Sequence, residues 1–220
     1  MKKFILVSPK NRSAYNFRGD LIKEIQKKGY DVVVTGPNKE GIDRIEALGA
    51  KFIEVPVNKN GVNPFADIAY CLKLKNIMKA EKADAILGYT IKPVIYGSIA
   101  AWLAGVKNRT AMVTGAGYLF ASKSLKARII RSISFVLYKL GLGAARKVIF
   151  QNVDDLNEFV EHGLVRKEKC HVVNGSGVNM TKFTPAEYPQ VPTFFFLGRL
   201  VYAKGGMDFV KAAKIVKECA

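Results

Sequence analysis

Two basic residues beside glycines are the clearest candidates for phosphate chemistry in this chain. Arg199 and Lys204 lie in the segment GRLVYAKGG (198–206), between the apolar run TFFFL (193–197) and a predicted helix. Two cations at the start of a helix can clamp a diphosphate, because the backbone N–H groups of the first turn add to their charge. The alternative is a loop that contains two unrelated basic residues.

A second group of candidates lies near the predicted carboxyl ends of earlier strands. Asn16 and Arg18 stand in SPKNRSAYNFRGD (8–20), at the expected start of a helix, where Arg18 could reach an anion. Lys92 precedes Pro93, which is typical of the first helical position, so Lys92 would add a mobile positive charge to a helix N-terminus. For each of these residues, an ordinary solvated side chain is the alternative.

The segment MVTGAGYLF (112–120) places two glycines at the end of another predicted strand. Gly115 and Gly117 would leave backbone N–H groups open and allow a ligand to approach closely. Tyr118 could line an apolar or sugar-stacking surface, and the alternative is a tight turn with core aromatic residues. The first loop of the chain has no GxGxxG pattern, which disfavours a dinucleotide-dependent dehydrogenase.

The segment 122–147 contains seven Lys or Arg residues and no Asp or Glu. At the helical period of about 3.6 residues, its aliphatic side chains fall on one face, which we expect to pack inward. A basic and aromatic outer face suits the headgroup layer of an anionic membrane, and a core helix with a solvated basic back is the alternative. The residues predicted to contact the membrane are Arg128, Arg131, Phe135, Tyr138 and Lys139.

The composition is that of a basic globular protein. The chain has 220 residues, a formal net charge of +17 and 49% hydrophobic residues. Such a charge favours anionic partners, which are nucleic acid, anionic lipid or phosphorylated small molecules. The three cysteines have no metal-binding spacing, and with the absence of a signal peptide or an apolar membrane span they indicate a reducing cytoplasm.

Short apolar runs alternate with helical patterns along the chain, which predicts an α/β fold with a mostly parallel sheet covered on both faces. Ligands of such sheets bind at the carboxyl ends of the strands. The predicted strands are 4–8, 31–35, 51–55, 84–89, 109–114, 147–152, 170–173 and 193–197. The predicted helices are 17–28, 39–49, 63–82 with Asn63 as its cap, 92–104, 123–143, 153–162 and 204–218.

Glycines and prolines without clear periodicity make residues 174–192 a predicted linker. We therefore expect a first domain over 1–173 and the start of a second over 193–220. One strand and one helix cannot form a core, so we expect this second domain to be incomplete.

These segments together resemble the GT4 family of retaining glycosyltransferases, which have the GT-B fold of two facing Rossmann-like domains. The likeness is greatest to bacterial enzymes that extend a saccharide on undecaprenyl diphosphate for capsule, O-antigen or protein glycans. It implies a Rossmann-like acceptor domain, followed by the first strand and helix of a Rossmann-like donor domain. The resemblance rests on YNFR (15–18), NPF (63–65), TIKPVIYGS (90–98), TGAGYLF (114–120), NGSGVNMTKFTP (174–185) and GRLVYAKGG (198–206).

The resemblance also implies partners and residue roles. Arg199 and Lys204 match the family's donor-diphosphate residues, which stabilise the leaving nucleoside diphosphate without a metal or cofactor. The donor would be a nucleotide sugar linked to uridine diphosphate, and the acceptor a polyprenyl-diphosphate-linked saccharide at the anionic inner face of the bacterial membrane, with no nucleic acid partner. The residues implied around the acceptor's diphosphate and first sugar are Asn16, Arg18, Lys92, Gly115, Gly117 and Tyr118.

Three departures from the family pattern leave alternatives open. Arg12 and Ser13 stand where many members have a glycine pair, and residues 114–117 stand where many have a histidine, so no catalytic base is named. The family's Glu-x7-Glu donor motif is absent from the 220 residues. The alternatives are a nucleotide-sugar epimerase of the same architecture and a catalytically silent membrane-binding or acceptor-binding module.

Overall fold

The computed structural model describes residues 1–58, 63–115 and 125–219. The chain divides into two units, Met1–Val178 and Asn179–Ala220. Every strand among the described residues belongs to the first unit.

A sheet of seven parallel strands forms the centre of the first unit. The strands are β1 (Lys2–Val7), β2 (Tyr30–Gly36), β3 (Lys51–Glu54), β4 (Ala85–Tyr89), β5 (Asn108–Val113), β6 (Lys147–Phe150) and β7 (Cys170–Val172). Their order is β3-β2-β1-β4-β5-β6-β7, and each neighbouring pair runs parallel. The topological switch point therefore lies between β1 and β4, and the predicted α/β class is confirmed.

Helices connect the strands and cover both faces of the sheet. They are α1 (Asn11–Lys27), α2 (Ile42–Glu46), α3 (Pro64–Ala80), α4 (Ser98–Leu103), α5 (Leu125–Ala144) and α6 (Val153–Glu161). A π-helical segment, Pro93–Gly97, leads directly into α4, so the helix predicted over 92–104 has two parts. Asn63 caps α3 as predicted, because its side-chain oxygen accepts hydrogen bonds from the backbone N–H groups of Phe65 (3.1 Å) and Ala66 (3.2 Å).

Different helices bury the two faces of the sheet. Side chains alternate along a strand, so Leu6 and Val34 pack with α1 and α2, whereas Ile5 and Val33 pack with α3 and α4. Strands β5 and β6 pack against α5 and α6 in a third cluster. The central strands are thus packed between helices on both faces, and their carboxyl ends position the loops that follow.

The first helix begins earlier than predicted. It was expected over 17–28 but starts at Asn11, after Lys10 in an extended conformation (φ −158°, ψ 120°). The early turns are polar and carry little apolar periodicity, so the sequence pattern did not reveal them. Asn16 and Arg18 consequently lie in the second turn of α1 rather than at its start.

The second unit contains one α-helix among its described residues, α7 (Gly206–Cys219), which follows a 3-10 turn at Tyr202–Lys204. Residues 193–197, predicted as a strand, form none, and Phe195 is 80% exposed. A strand needs a neighbour to satisfy its backbone hydrogen bonds, and the described residues of this unit supply none.

Candidate functional site

A buried arginine lies at the carboxyl end of the sheet. Arg18, in α1, is 5% exposed. Its Nη1 donates to the hydroxyl of Ser176 (2.9 Å), and its Nη2 lies 3.3 Å from the sulfur of Met112. No carboxylate pairs with it among the described residues, and its Nε has no hydrogen-bond partner there. Burial lowers the pKa of the guanidinium, because desolvation disfavours its charged form.

A cavity of about 390 Å³ opens beside Arg18. It is lined by part of α1, which includes the acidic residue Asp20, by Met112 on β5 and by the loop after β7 (173–178). Asn16 also lines this cavity, so the structure brings together two residues that the sequence predicted for one site. Burying a cation that no described carboxylate pairs with costs free energy, and an anionic ligand in this cavity would offset that cost.

Tyr89, at the end of β4, packs against the guanidinium. The Cζ atom of Arg18 lies 5.1 Å from the centroid of the Tyr89 ring, within cation–π distance. The Tyr89 hydroxyl contacts the Oγ atoms of Ser8 (2.5 Å) and Ser13 (2.9 Å), which lie after β1 and in the first turn of α1. Burial raises the pKa of Tyr89, so its phenol stays protonated. These contacts hold Arg18 near the switch point of the sheet.

Lys92 is paired within the protein rather than free. Its ammonium forms an ion pair with Asp67 on α3, and the Tyr96 hydroxyl donates to the other carboxylate oxygen (3.1 Å). Burial, and then the nearby Asp67 carboxylate, raises the pKa of Tyr96 to about 12. A phosphate at Lys92 would have to share this lysine with Asp67. Acceptor binding by Lys92 stays a prediction.

The backbone after β4 is strained. Thr90 has φ of 67°, which β-branched residues rarely adopt. A Cβ at Gly88 would lie 2.5 Å from the carbonyl oxygen of Pro93, so only glycine fits this close approach. The π-helical segment begins at Pro93. Three unusual backbone features thus occur together beside the switch point.

Gly115 follows β5 with φ of 123°, a conformation that favours glycine. None of the described residues comes within 4 Å of the position that a Cβ would take. Gly117 and Tyr118, the other two residues predicted for this turn, lie outside the described residues.

Helix α5 buries a different face from the one predicted. Tyr138, predicted to contact the membrane, is 2% exposed and packs edge-on against Phe159, with ring centroids 5.1 Å apart. That assignment is wrong. Phe135, also assigned to the membrane, is half-buried and packs against the ring of His162.

A close approach at Gly141 explains the rotation of α5. A Cβ there would lie 2.6 Å from the Cα of Ile95, so the helix meets the π-helical segment at this glycine. The neighbouring Tyr138 and Leu142 are therefore directed into the core. Three aliphatic residues that we expected in the core, Ile133, Val136 and Leu140, are exposed instead, and with Ile130 they form an exposed stripe on α5.

Two predicted membrane-contact residues, Arg128 and Lys139, are exposed on α5, and Arg131 is half-buried. The exposed stripe of α5 thus shares its helix with solvent-accessible positive charge. No helix among the described residues is both long and apolar enough to cross a membrane.

In the second unit, Arg199 and Lys204 are both exposed. Lys204 ends the 3-10 turn, where its backbone N–H donates to the carbonyl of Val201 (3.0 Å), and Gly205 with φ of 70° leads into α7. Both cations therefore precede a helix N-terminus, as the sequence predicted. Among the described residues, no group of three or more His, Cys, Asp or Glu side chains could hold a metal ion.

A second cavity, of about 550 Å³, lies beyond the ends of β1 and β2. Lys10 and Arg12 are among its lining residues, and no ligand was predicted for this cavity from the sequence. The amide nitrogen of buried Asn11 donates to the carbonyls of Asn38 (2.7 Å) and Glu40 (2.8 Å), which ties together the loops after the two strands.

Sequence reasoning missed four residues around these sites: Tyr89, Asp67, Ser176 and Gln151, whose Nε2 donates to the Ser176 hydroxyl (3.0 Å). Tyr89 is the last residue of a predicted strand, which is a usable signal for a site at the carboxyl edge. Ser176 lies between the two glycines of NGSG, a motif to which no chemical role was given. Asp67 and Gln151 carry no sequence signal, because their partners are distant in the chain.

The comparisons with known proteins agree with this arrangement. The family model described as glycosyl transferase 4-like matches residues 5–152. A Campylobacter jejuni protein named N,N'-diacetylbacillosaminyl-diphospho-undecaprenol alpha-1,3-N-acetylgalactosaminyltransferase is 27% identical over 222 residues. This match covers 94% of the chain and 59% of that relative, so the chain spans less than two thirds of the relative's length.

Solved structures resemble the chain in fold. A glycosyltransferase from Rickettsia africae has a TM-score of 0.60 and 17% identity, over 86% of this chain and 46% of that one. HepE from Anabaena, in complex with UDP and glucose, has a TM-score of 0.57 and 14% identity, over 82% of this chain and 46% of that one. At such identities the likeness concerns the fold alone.

Proposed function

Because the chain belongs to the glycosyl transferase 4-like family, we propose that it serves the retaining transfer of a sugar from a nucleotide sugar to a saccharide on polyprenyl diphosphate. The name of the Campylobacter relative, which specifies a diphospho-undecaprenol acceptor, supports this substrate class. The UDP bound to HepE supports a uridine diphosphate donor. In this proposal the first unit binds the acceptor.

The buried guanidinium of Arg18, which forms no ion pair with a described carboxylate, is the single observation that carries the proposal. It lines a cavity at the carboxyl edge of a doubly wound sheet, where ligands of such folds bind. A diphosphate would be an anionic partner for this buried cation, and a guanidinium can donate to phosphate oxygens in a bidentate manner. Asn16 and Gly115 would contact the same part of the acceptor.

Acceptor binding tests this assignment directly. The full chain is titrated with a water-soluble, short-chain polyprenyl-diphosphate disaccharide by isothermal calorimetry. Arg18→Gln should weaken binding by about 10-fold or more, since a hydrogen bond from a charged donor contributes about 1.5–3 kcal/mol. Arg12→Gln, an exposed cation on the same helix, should change it by less than about 2-fold. Equal effects of the two variants would contradict the assignment.

For the donor, we propose that Arg199 and Lys204 stabilise the leaving nucleoside diphosphate as its charge develops. Their exposure beside the N-terminus of α7 supports this role. Label transfer from UDP-sugars to the lipid-linked acceptor should be lowered in Arg199→Ala and Lys204→Ala, with the effect in kcat rather than in the KM for the acceptor. Transfer that ceases when divalent ions are chelated would contradict a role for these cations in place of a metal.

We also propose that the exposed stripe of α5 contacts an anionic membrane surface peripherally. An apolar face together with basic residues is typical of helices that lie in the headgroup layer, and the proposed acceptor is lipid-linked. The chain should co-sediment with vesicles containing phosphatidylglycerol, and less as salt rises. Val136→Glu, at a side chain 60% exposed, should reduce co-sedimentation, whereas Val153→Glu on α6, 56% exposed, should not. Unchanged co-sedimentation of Val136→Glu would exclude this face.

A further inference from the structure

The NGSG loop and the end of β6 bring two more polar groups to Arg18. The hydroxyl oxygen of Ser176 accepts from Nη1 of Arg18 (2.9 Å) and from Nε2 of Gln151 (3.0 Å). Ser176 also lines the 390 Å³ cavity. Gly175 (φ 75°) and Gly177 (φ 71°) flank it in left-handed conformations, and this double turn places the hydroxyl against the guanidinium.

Ser176 is exposed, and its hydroxyl oxygen accepts two hydrogen bonds. A serine hydroxyl has two lone pairs and one hydrogen, and Arg18 and Gln151 use both lone pairs. The hydrogen must therefore point away from both donors, and no hydrogen bond from it to another described residue is present. A hydroxyl that accepts from a guanidinium is polarised, which makes it a stronger donor.

We propose that Ser176 is a phosphate-binding residue, which donates its hydroxyl hydrogen to the same phosphate group that Arg18 binds. Gln151 is a positioning residue, which acts on the phosphate only by holding the Ser176 hydroxyl. This inference rests on the proposed function, since it assigns the cavity to the diphosphate of the acceptor. The site then combines α1, the end of β6 and the loop after β7, three segments that only the fold brings together.

Titration of the full chain with inorganic pyrophosphate at constant ionic strength tests the inference. Ser176→Ala should raise the Kd about 5-fold, and Ser176→Thr, which keeps the hydroxyl, should stay within about 2-fold of the original chain. Ser134→Ala is the matched control, because this serine donates to the carbonyl of Ile130 (2.8 Å) on α5, away from the cavity. Its Kd should not change.

A double-mutant cycle tests the role of Gln151. Gln151→Ala should raise the Kd in the original chain by about 2-fold, but have no further effect in Ser176→Ala. A residue that only stabilises the fold would lower the melting temperature and give additive effects in this cycle. Additive effects would overturn the positioning role.

The outcomes separate this inference from the proposed function. If Arg18→Gln weakens pyrophosphate binding and Ser176→Ala does not, the inference is wrong and the acceptor site remains. If Ser176→Ala weakens pyrophosphate binding but the chain binds no polyprenyl-diphosphate saccharide, the phosphate site stands and the proposed function fails. An original chain that does not bind pyrophosphate overturns the inference, and so does a Kd that rises equally in Ser134→Ala.

Discussion

Replacement of Arg18 by methionine should stabilise the fold while it abolishes anion binding. Burying an ion costs several kcal/mol, for which we take about 5 kcal/mol. The cation–π contact with Tyr89 returns about 1 kcal/mol. The hydrogen bonds from Nη1 to the Ser176 hydroxyl (2.9 Å) and to the Phe17 carbonyl (3.2 Å) together return about 2 kcal/mol. The difference is a net cost of about 2 kcal/mol. Methionine keeps most of the apolar contacts of the arginine stem, so we expect Arg18→Met to raise the free energy of unfolding by about 1–2 kcal/mol.

Urea unfolding followed by far-ultraviolet circular dichroism measures this change. Arg12→Met is the control, because Arg12 is exposed on the same helix and its substitution should shift the free energy of unfolding by less than about 0.5 kcal/mol. Burial lowers the pKa of Arg18, so its charged form destabilises the fold, by the same amount at every pH well below that pKa. Arginine stays protonated throughout the working range of the protein, and the gain should therefore be the same at acidic and neutral pH.

The opposite result would refute the reasoning. If Arg18→Met were less stable than the original chain by about 1 kcal/mol or more, the contacts of Arg18 would outweigh its desolvation. Arg18 would then be a structural residue, and the cavity would lose the unbalanced charge that marks it as a site.

The remaining predictions concern stability. In α5, Gly141→Ala should destabilise by about 2 kcal/mol, because its Cβ would lie 2.6 Å from a backbone atom of the π-helical segment. Gly143→Ala should instead stabilise by about 0.5–1 kcal/mol, because no described residue comes within 4 Å of the added Cβ. Equal urea midpoints for the two variants would contradict this. Hydrogen bonds from two lysines lower the pKa of Glu81, so its contribution to stability is present above the unfolded value of about 4.3 and is lost as the pH falls through the folded value. The difference in unfolding free energy between the original chain and Glu81→Gln should therefore shrink from neutral pH to about pH 3, and a constant difference would count against it. Asp67→Asn should destabilise by about 3 kcal/mol, because Lys92 stays buried without its carboxylate, and Asp67→Asn with Lys92→Met should recover part of the loss in the same urea assay.

The sheet was predictable because its strands are short apolar runs that no helical pattern imitates. The orientation of α5 was not, because apolar side chains occur all around this helix. Its aliphatic residues Ile133 and Val136 and its aromatic residues Phe135 and Tyr138 define two possible inner faces. The contact at Gly141 decides between them, and a contact with another segment leaves no trace in the periodicity of the helix itself.

Two properties of the site were predictable: its place at the carboxyl edge of the sheet and its positive charge. Arg18 was identified as a basic residue near the carboxyl end of β1, but its burial was not, since arginine is usually exposed. Its partner Ser176 is 158 residues away in the chain, and Asp67 is 25 residues from Lys92, so no spacing rule connects either pair. Such pairings can be identified only once the order of the strands in the sheet is known.

The strained segment after β4 limits how this chain tolerates changes of length. A π-helical segment accommodates more residues per turn than an α-helix, so the deletion of one residue within Pro93–Gly97 would tend to restore α-helical geometry. That deletion would rotate Lys92 by about 100° relative to α4 and remove it from Asp67. In a library of folded variants that carry random insertions and deletions, we therefore expect few or no accepted length changes within residues 88–97, although Thr90 in this segment belongs to no helix or strand.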